Sequence, residues 1–460
     1  MKSNELGTEN ISRLIVKQGV PAAVGFMVMS FYMIVDTIFV GHWVGPMGIA
    51  AISVVLPLVF LIASVGMAIG VGGASMISRA LGADNEGLAQ RVFGNQITLN
   101  MSLASLFVGV GFVFEEPLLQ LFGAQGAIMP PSKTYFRIML MGMPFLAWAM
   151  MSIHIIRAQG FPKIAMNVML LPALFNLVLD PIFIYGLEWG MQGAALATIL
   201  AYFLSASYTF WFFVRGNSDL RIQRVNLSLD WAIVWEMLSL GFVSFAQQAT
   251  FSFLALTANN TLYTYGSEIY VSIYGIINRL LVFSIFPIMG ISQGFLPITG
   301  YNYGAQLYSR VRENIRKSML YGTAIATFIY TLILVARLPI IYIFTNDPVI
   351  LAITPSALVI VFSTIPIVLV QLIAAAYYQA IGRALPALLL TLTKQVFCIA
   401  LLFILPHYWG IMGVWWAFPI ADILSTLITG YYLIKAYREL LSKEDVILDW
   451  SNHLVEENRA

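Results

Sequence analysis

Residues 50–77 read AAISVVLPLVFLIASVGMAIGVGGASMI, a run without a single Asp, Glu, Lys, Arg or His. About 20 apolar residues in helical form cross the hydrocarbon core of a bilayer. A helix also satisfies its own backbone polar groups there, where no water can do so. Working outward, comparable runs occur at roughly 19–41, 93–114, 133–157, 165–187, 192–214, 236–263, 271–298, 318–336, 352–380, 386–406 and 412–434. The charges, prolines and glycines collect between them. Composition agrees: the 460 residues are 60% hydrophobic and 10% charged, with mean hydropathy +0.84. Soluble domains carry about 25% charged residues. The chain is therefore read as an all-α membrane protein with twelve transmembrane helices.

Basic residues orient it. An even number of spans places both termini on one face, and that face receives nearly all the Lys and Arg of the loops and tails. Only Lys133, Arg137 and Arg337 fall opposite. The positive-inside rule makes the rich side cytoplasmic. The expected organisation is a cytoplasmic tail at 1–18, a first lobe at 19–214, a cytoplasmic linker at 215–235, a second lobe at 236–434 and a cytoplasmic tail at 435–460. The first span reaches full spanning length, so no cleavable signal peptide is read.

The two halves repeat. A shift of 222 residues lays Gly82-Ala83 on Gly304-Ala305, Pro117 on Pro339, Phe122 on Phe344, Pro144 on Pro366 and Gly160 on Gly382. A shift of 220 lays Trp189-Gly190 and Gly193 on Trp409-Gly410 and Gly413. Six spans per copy make this a parallel repeat, with an axis along the membrane normal. Transporters are commonly built this way, one half rocking against the other.

Several chemistries are excluded. The net charge of +2 gives no reason to expect nucleic acid. Cys398 is the single cysteine, so there is no intrachain disulfide or cysteine metal framework. His42, His154, His407 and His453 are scattered, and no GxxxxGK[ST] loop offers ATP as fuel. A membrane-embedded enzyme would need a clustered nucleophile, metal ligands or an acid–base pair, and none is present. No cofactor and no obligate protein partner are expected. The partners read are the bilayer and a small-molecule substrate, with the chain as a monomer.

A charge inside a span costs roughly 2.5–3.5 kcal/mol at the centre and marks a functional candidate. The candidates are Asp36, Asp180, Arg279, Lys394 and Asp422. Asp36 and Asp180 sit at similar depth in the outer half of the first lobe. Asn176 precedes Asp180 by one helical turn and shares its face. Pro181 follows and frees a backbone carbonyl. Thr198, at matching depth, adds a hydroxyl oxygen. Oxygen ligands suit a hard ion such as Na⁺, and the same carboxylates can hold H⁺ instead. No other metal site is read. Arg279 and Lys394 are candidates either to neutralise Asp422 or to bond helix ends. Of the 21 methionines, most precede residue 200, Met33 and Met139 among them. They offer either a soft substrate surface or lipid-facing filler.

Val35-Asp-Thr-Ile-Phe-Val-Gly41, Ser78-Arg-Ala-Leu-Gly-Ala83, Asn176-Leu-Val-Leu-Asp-Pro181 and Gly-Ala-Ala at 193–195 together resemble the MATE (multidrug and toxic compound extrusion) family. The resemblance covers nearly the whole chain except the polar tails. It implies an antiporter in the plasma (inner) membrane that expels amphipathic, often cationic, compounds while H⁺ or Na⁺ enters. It implies a cation site at Asp36, Asn176, Asp180 and Thr198, with Tyr135 matching the same cluster and Met33 and Met139 as further contacts. Another branch carries carboxylates in spans 7, 8 and 10. Here those spans contain no interior Asp or Glu, since Glu236 and Glu268 fall at or beyond their ends, which points to the branch with DinF-like and MepA-like proteins. A flippase for lipid-linked sugars or another lipid, on a related architecture, is the alternative. The scarcity of interior Lys and Arg disfavours it.

Overall fold

The computed structural model describes residues 2–457. Its long helices are α1 (Ile11–Trp43), α2 (Pro46–Gly82), α3 (Glu86–Val113), α4 (Met129–Ala158), α5 (Pro162–Asp180) and α6 (Gly190–Arg215). They continue with α7 (Trp231–Tyr265), α8 (Glu268–Gly304), α9 (Tyr308–Tyr342), α10a (Pro348–Phe362), α10b (Ile365–Ala380), α11 (Ala384–Trp409) and α12 (Ile411–Glu457). Among the described residues there is no strand. Among the described residues eleven helical stretches are long and apolar enough to cross a membrane, and α10a with α10b, bent by 41°, counts as a twelfth when taken as one span. The chain is an all-α, multi-pass membrane protein.

The repeat is visible in the backbone. The turn after α2 places Asp84 at φ 56°, and the turn after α8 places Gln306 at φ 58°. Left-handed backbone is unfavourable for residues with a Cβ, yet both copies use it at the same position. Gly160 and Gly382, at φ 81° and 85°, close the next corresponding pair of helices.

The polar tails expected at 1–18 and 435–460 are largely helical. Leu6, Ile11, Leu14 and Ile15 are buried. Arg310 donates to the Leu6 and Glu9 carbonyls at 3.2 and 2.7 Å, and Asn302 donates to the Leu6 carbonyl at 2.9 Å. At the other end α12 runs on past its apolar stretch. Glu439 and Glu444 pair with Arg383 and Arg312, and the Lys443 ammonium donates to the Tyr303 hydroxyl at 2.9 Å. The helices outrun the apolar runs because polar partners hold their extensions. Met1 and residues 458–460 lie outside the described part. Arg310→Met is expected to cost about 2 kcal/mol, the worth of hydrogen bonds from a charged donor. Limited proteolysis should then release the first ten or so residues faster.

Two compact units divide the chain, and the division falls inside helices. One unit holds Val24–Phe245, and the other holds Leu6–Ala23 and the residues from Ala246 on. The 222-residue offset carries one division point onto the other. The segment at 215–235 belongs wholly to the first unit, where α3 and the end of α4 satisfy its polar groups and α2 pairs with Glu236 just beyond it. Gln159 Oε1 accepts from Ser218 Oγ, Asp219 N and Leu220 N at 2.8, 2.9 and 3.3 Å. Thr98 donates to the Leu227 carbonyl at 2.7 Å, and Arg79 pairs with Glu236 at 2.6 Å.

The borrowed half-helices sit on glycines. In the first unit a Cβ on Gly72 would stand 2.0 Å from the Met237 carbonyl oxygen, and one on Gly241 would stand 2.2 Å from that of Ala68. In the second unit Gly290 would meet the Gly19 carbonyl oxygen at 2.6 Å. Position 290 corresponds to 68 and position 19 to 241 under the repeat. Small residues let membrane helices approach backbone to backbone.

Candidate functional site

The site lies within the first unit, between α1, α4, α5 and α6. α4 anchors it to an apolar core that includes Val55, Leu58, Phe136, Leu140, Met143 and Ile184. α5 brings Asn176 and Asp180 to one face. The helix does not stop at Pro181 but widens into a π turn, Pro181–Gly186. Such turns are rare and often mark functional positions.

Asn176 and Asp180 are fully buried, and Thr198 is 4% exposed. The Asn176 amide donates to Thr198 Oγ1 at 3.3 Å, and that hydroxyl donates to the Ala194 carbonyl at 2.9 Å. The Asn176 Oδ1 and both Asp180 carboxylate oxygens receive no protein donor in good geometry. Asp36, half-buried on α1, brings its carboxyl within hydrogen-bonding reach of Asp180. Two ionised carboxylates this close repel, so the arrangement favours a proton or a small cation shared between them. The available atoms are all oxygens, a donor set for hard cations.

Three tyrosines complete the site. Tyr135, 4% exposed, reaches Thr198 with its hydroxyl. Tyr32 and Tyr202 stand with it in the electrostatic field of Asp36. Sequence reading named Tyr135 but missed the other two. The signal was present: Tyr32 lies one turn before Asp36 and Tyr202 one turn after Thr198, each on the face of a residue already chosen.

The remaining candidates fall elsewhere. Met139, 2% exposed, is part of the apolar core rather than an accessible contact surface. Met33 is half-buried on α1, one turn before Asp36. His154 packs against α2, with its Cδ2 3.1 Å from where a Gly70 Cβ would stand. Lys394 pairs with Asp422 at 2.7 Å in the second unit. Arg279 is exposed and makes no ion pair among the described residues. Cys398 is buried. Among the described residues no three of His, Cys, Asp and Glu gather as a metal site.

Twelve spans in two parallel copies, with an acid pair sheltered inside one of them, define a membrane transporter rather than an enzyme. The family model described as MatE matches residues 21–182 and 244–409, one stretch in each copy. The chain belongs to the MATE family of multidrug efflux transporters. The multidrug export protein MepA of Staphylococcus haemolyticus (strain JCSC1435) is 26% identical over 439 residues, covering 95% of this chain and 96% of the relative. MepA of Staphylococcus aureus (strain MRSA252) is 27% identical over 410 residues, covering 88% and 90%. A crystal structure of MATE in complex with MaD3S superimposes with TM-score 0.90 at 25% identity, over 96% of this chain and 99% of that one. An outward-facing multidrug resistance MATE transporter of the MOP superfamily gives 0.87 at 25% identity and the same coverage.

Proposed function

We propose that this chain is a cation-coupled antiporter that exports amphipathic, often cationic, small organic compounds by alternating access. H⁺ or Na⁺ entering at Asp36, Asn176, Asp180 and Thr198 is exchanged for substrate. The observation that carries this reading is Asp180. It is fully buried, it lies beside a second acid and the Asn176 amide, and neither of its oxygens meets a protein donor in good hydrogen-bonding geometry. A permanently structural acid would have its lone pairs filled by donors. An acid that must load and unload an ion keeps them open. Loading from outside favours substrate release, and unloading inside permits the next substrate to bind. The two ligands thus act through their differential affinity for two states. The multidrug export named for the staphylococcal relatives supports the substrate class.

The transporter works in the plasma (inner) membrane, with both termini cytoplasmic and as a monomer. No cofactor beyond the coupling ion takes part. The test is flux of a fluorescent organic cation in proteoliposomes, with a pH gradient and a sodium gradient imposed separately. One of the two is expected to drive uphill movement. Uphill movement under neither gradient would overturn the reading.

A further inference from the structure

The tenth span is interrupted at Ser363 and Thr364, where α10a and α10b meet at 41°. Pro366 follows the break. Its counterpart in the first copy, Pro144, lies inside α4, which runs unbroken from Met129 to Ala158. A proline removes one backbone hydrogen bond and crowds the preceding turn, but in this repeat that alone leaves the helix continuous.

The second copy adds a polar anchor. Thr364 Oγ1 donates to Asp422 Oδ2 at 2.9 Å. Gln371, two turns further along α10b, donates to the Asp422 carbonyl at 3.0 Å, to Asp422 Oδ1 at 3.3 Å and to Thr426 Oγ1 at 3.0 Å. The Lys394 ammonium on α11 meets Asp422 Oδ1 at 2.7 Å. In the first copy the matching positions hold Gly142, Ala149 and Tyr202 for Thr364, Gln371 and Asp422, so none of these contacts can form.

The cluster is deep. Asp422 and Lys394 each lie about 15 Å along their helices from the ends at Ile411 and Ala384, near the middle of a hydrocarbon core about 30 Å thick. Asp422 is 4% exposed. Replacing a buried ion pair by apolar side chains is often neutral or stabilising, so the charges give no stability that leucine and methionine would not. What Asp422 supplies and leucine would not is a side-chain acceptor for Thr364 and Gln371. We propose that Asp422 is a positioning residue that holds the bend of the tenth span, that Lys394 is its counter-ion, and that transport requires this bend to be held.

The test separates acceptor from charge. In a Cys398→Ala background, spin labels at positions 349 and 383 report the end-to-end length of the tenth span, alongside export in proteoliposomes. D422N/K394M removes both charges but keeps an acceptor for Thr364. It is expected to export within about twofold of the parent, with the label distance unchanged. D422L/K394M removes charges and acceptor. It is expected to lose export by about tenfold or more while the labels move apart by about 3 Å as the span straightens. T364V, which leaves the ion pair intact, is expected to shift both readouts in the same direction and serves if the leucine variant does not fold. Parent-like export or an unchanged distance in D422L/K394M, or in T364V where that stands in for it, would overturn the proposal. Loss of export in D422N/K394M would overturn it too, by assigning the role to charge.

Discussion

Asp180→Asn is expected to abolish uphill export while leaving the folded protein intact. The amide is nearly isosteric with the carboxyl, so packing against Asn176 and Thr198 is preserved. It cannot, however, take up and release a proton, and it offers one weaker oxygen to a cation. For one-for-one exchange, a tenfold ion gradient supports about a tenfold substrate gradient. In the variant that ratio should fall to about one, with only downhill leakage left. The membrane potential adds about 2.3 kcal/mol per 100 mV only where the exchange moves net charge. Stability should move the other way from a typical core substitution. Asp180 is buried with no donor in good hydrogen-bonding geometry on either oxygen, and such a group is costly to bury. Its neutral replacement should therefore leave the thermal midpoint unchanged or raise it. Lost export with lost stability would mark Asp180 as structural. Asp36 is half-buried, so Asp36→Asn is expected to follow the same pattern more weakly.

Gly72→Ala is expected to be strongly destabilising, because a single methyl group there meets the backbone of another helix. Its Cβ would stand 2.0 Å from the Met237 carbonyl oxygen, 2.9 Å from the carbonyl carbon and 3.0 Å from Gly241 N. All three are backbone atoms, so no rotamer change relieves the clash. α2 and α7 would have to separate, losing contacts along their crossing. A cost of about 3 kcal/mol or more follows, at the upper end for single substitutions. It would be read as a lower thermal midpoint and a lower yield of monodisperse protein. Gly109→Ala is the control, since nothing lies within 4 Å of its Cβ position on α3. There the helix gains about 0.5–1 kcal/mol, because alanine loses less conformational freedom on folding than glycine does. Opposite signs for the same chemical change would place the effect in the close approach rather than in helix propensity.

The twelve spans were legible because the bilayer imposes one simple requirement, length and apolarity, that each run meets locally. The repeat was legible because turn-forming residues such as Gly82 and Gly160 carry their conformational reason with them. Helix ends were less so. α1 begins well before its apolar run, and α12 continues beyond its own, since Arg310, Arg312 and Tyr303 supply partners from distant parts of the chain. That α1 and α7 each run from one compact unit into the other was not legible at all. Apolar periodicity reports that a helix face is covered, not by which neighbour. The glycines at 19, 72 and 241 did mark close approach, but not to which helix.

The site was half legible. Asp36, Asn176, Asp180 and Thr198 announce themselves as polar groups in apolar surroundings, and the structure gathers all four in one unit. Tyr32 and Tyr202 look like ordinary aromatic content until the helical turn relating them to Asp36 and Thr198 is used. Met139 shows the limit in the other direction, since a flexible apolar residue reads the same in a core as on a binding surface. Asp422 and Lys394 needed each other because neither is tolerable alone at mid-membrane. Their link to the break in the tenth span rests on Thr364 and Gln371, and a hydroxyl or amide within a span gives no sequence sign of its acceptor.

The most direct measurement is substrate affinity of the purified protein as a function of pH and, separately, of sodium concentration, for the parent and for Asp180→Asn. Ion and substrate that exclude one another are reciprocally linked. Affinity in the parent should therefore fall as one of the two ions is raised, by up to about tenfold per tenfold rise in that ion, and the dependence should vanish in the variant. An ion dependence that persists unchanged in Asp180→Asn, or is absent from the parent, would contradict coupling through this acid pair.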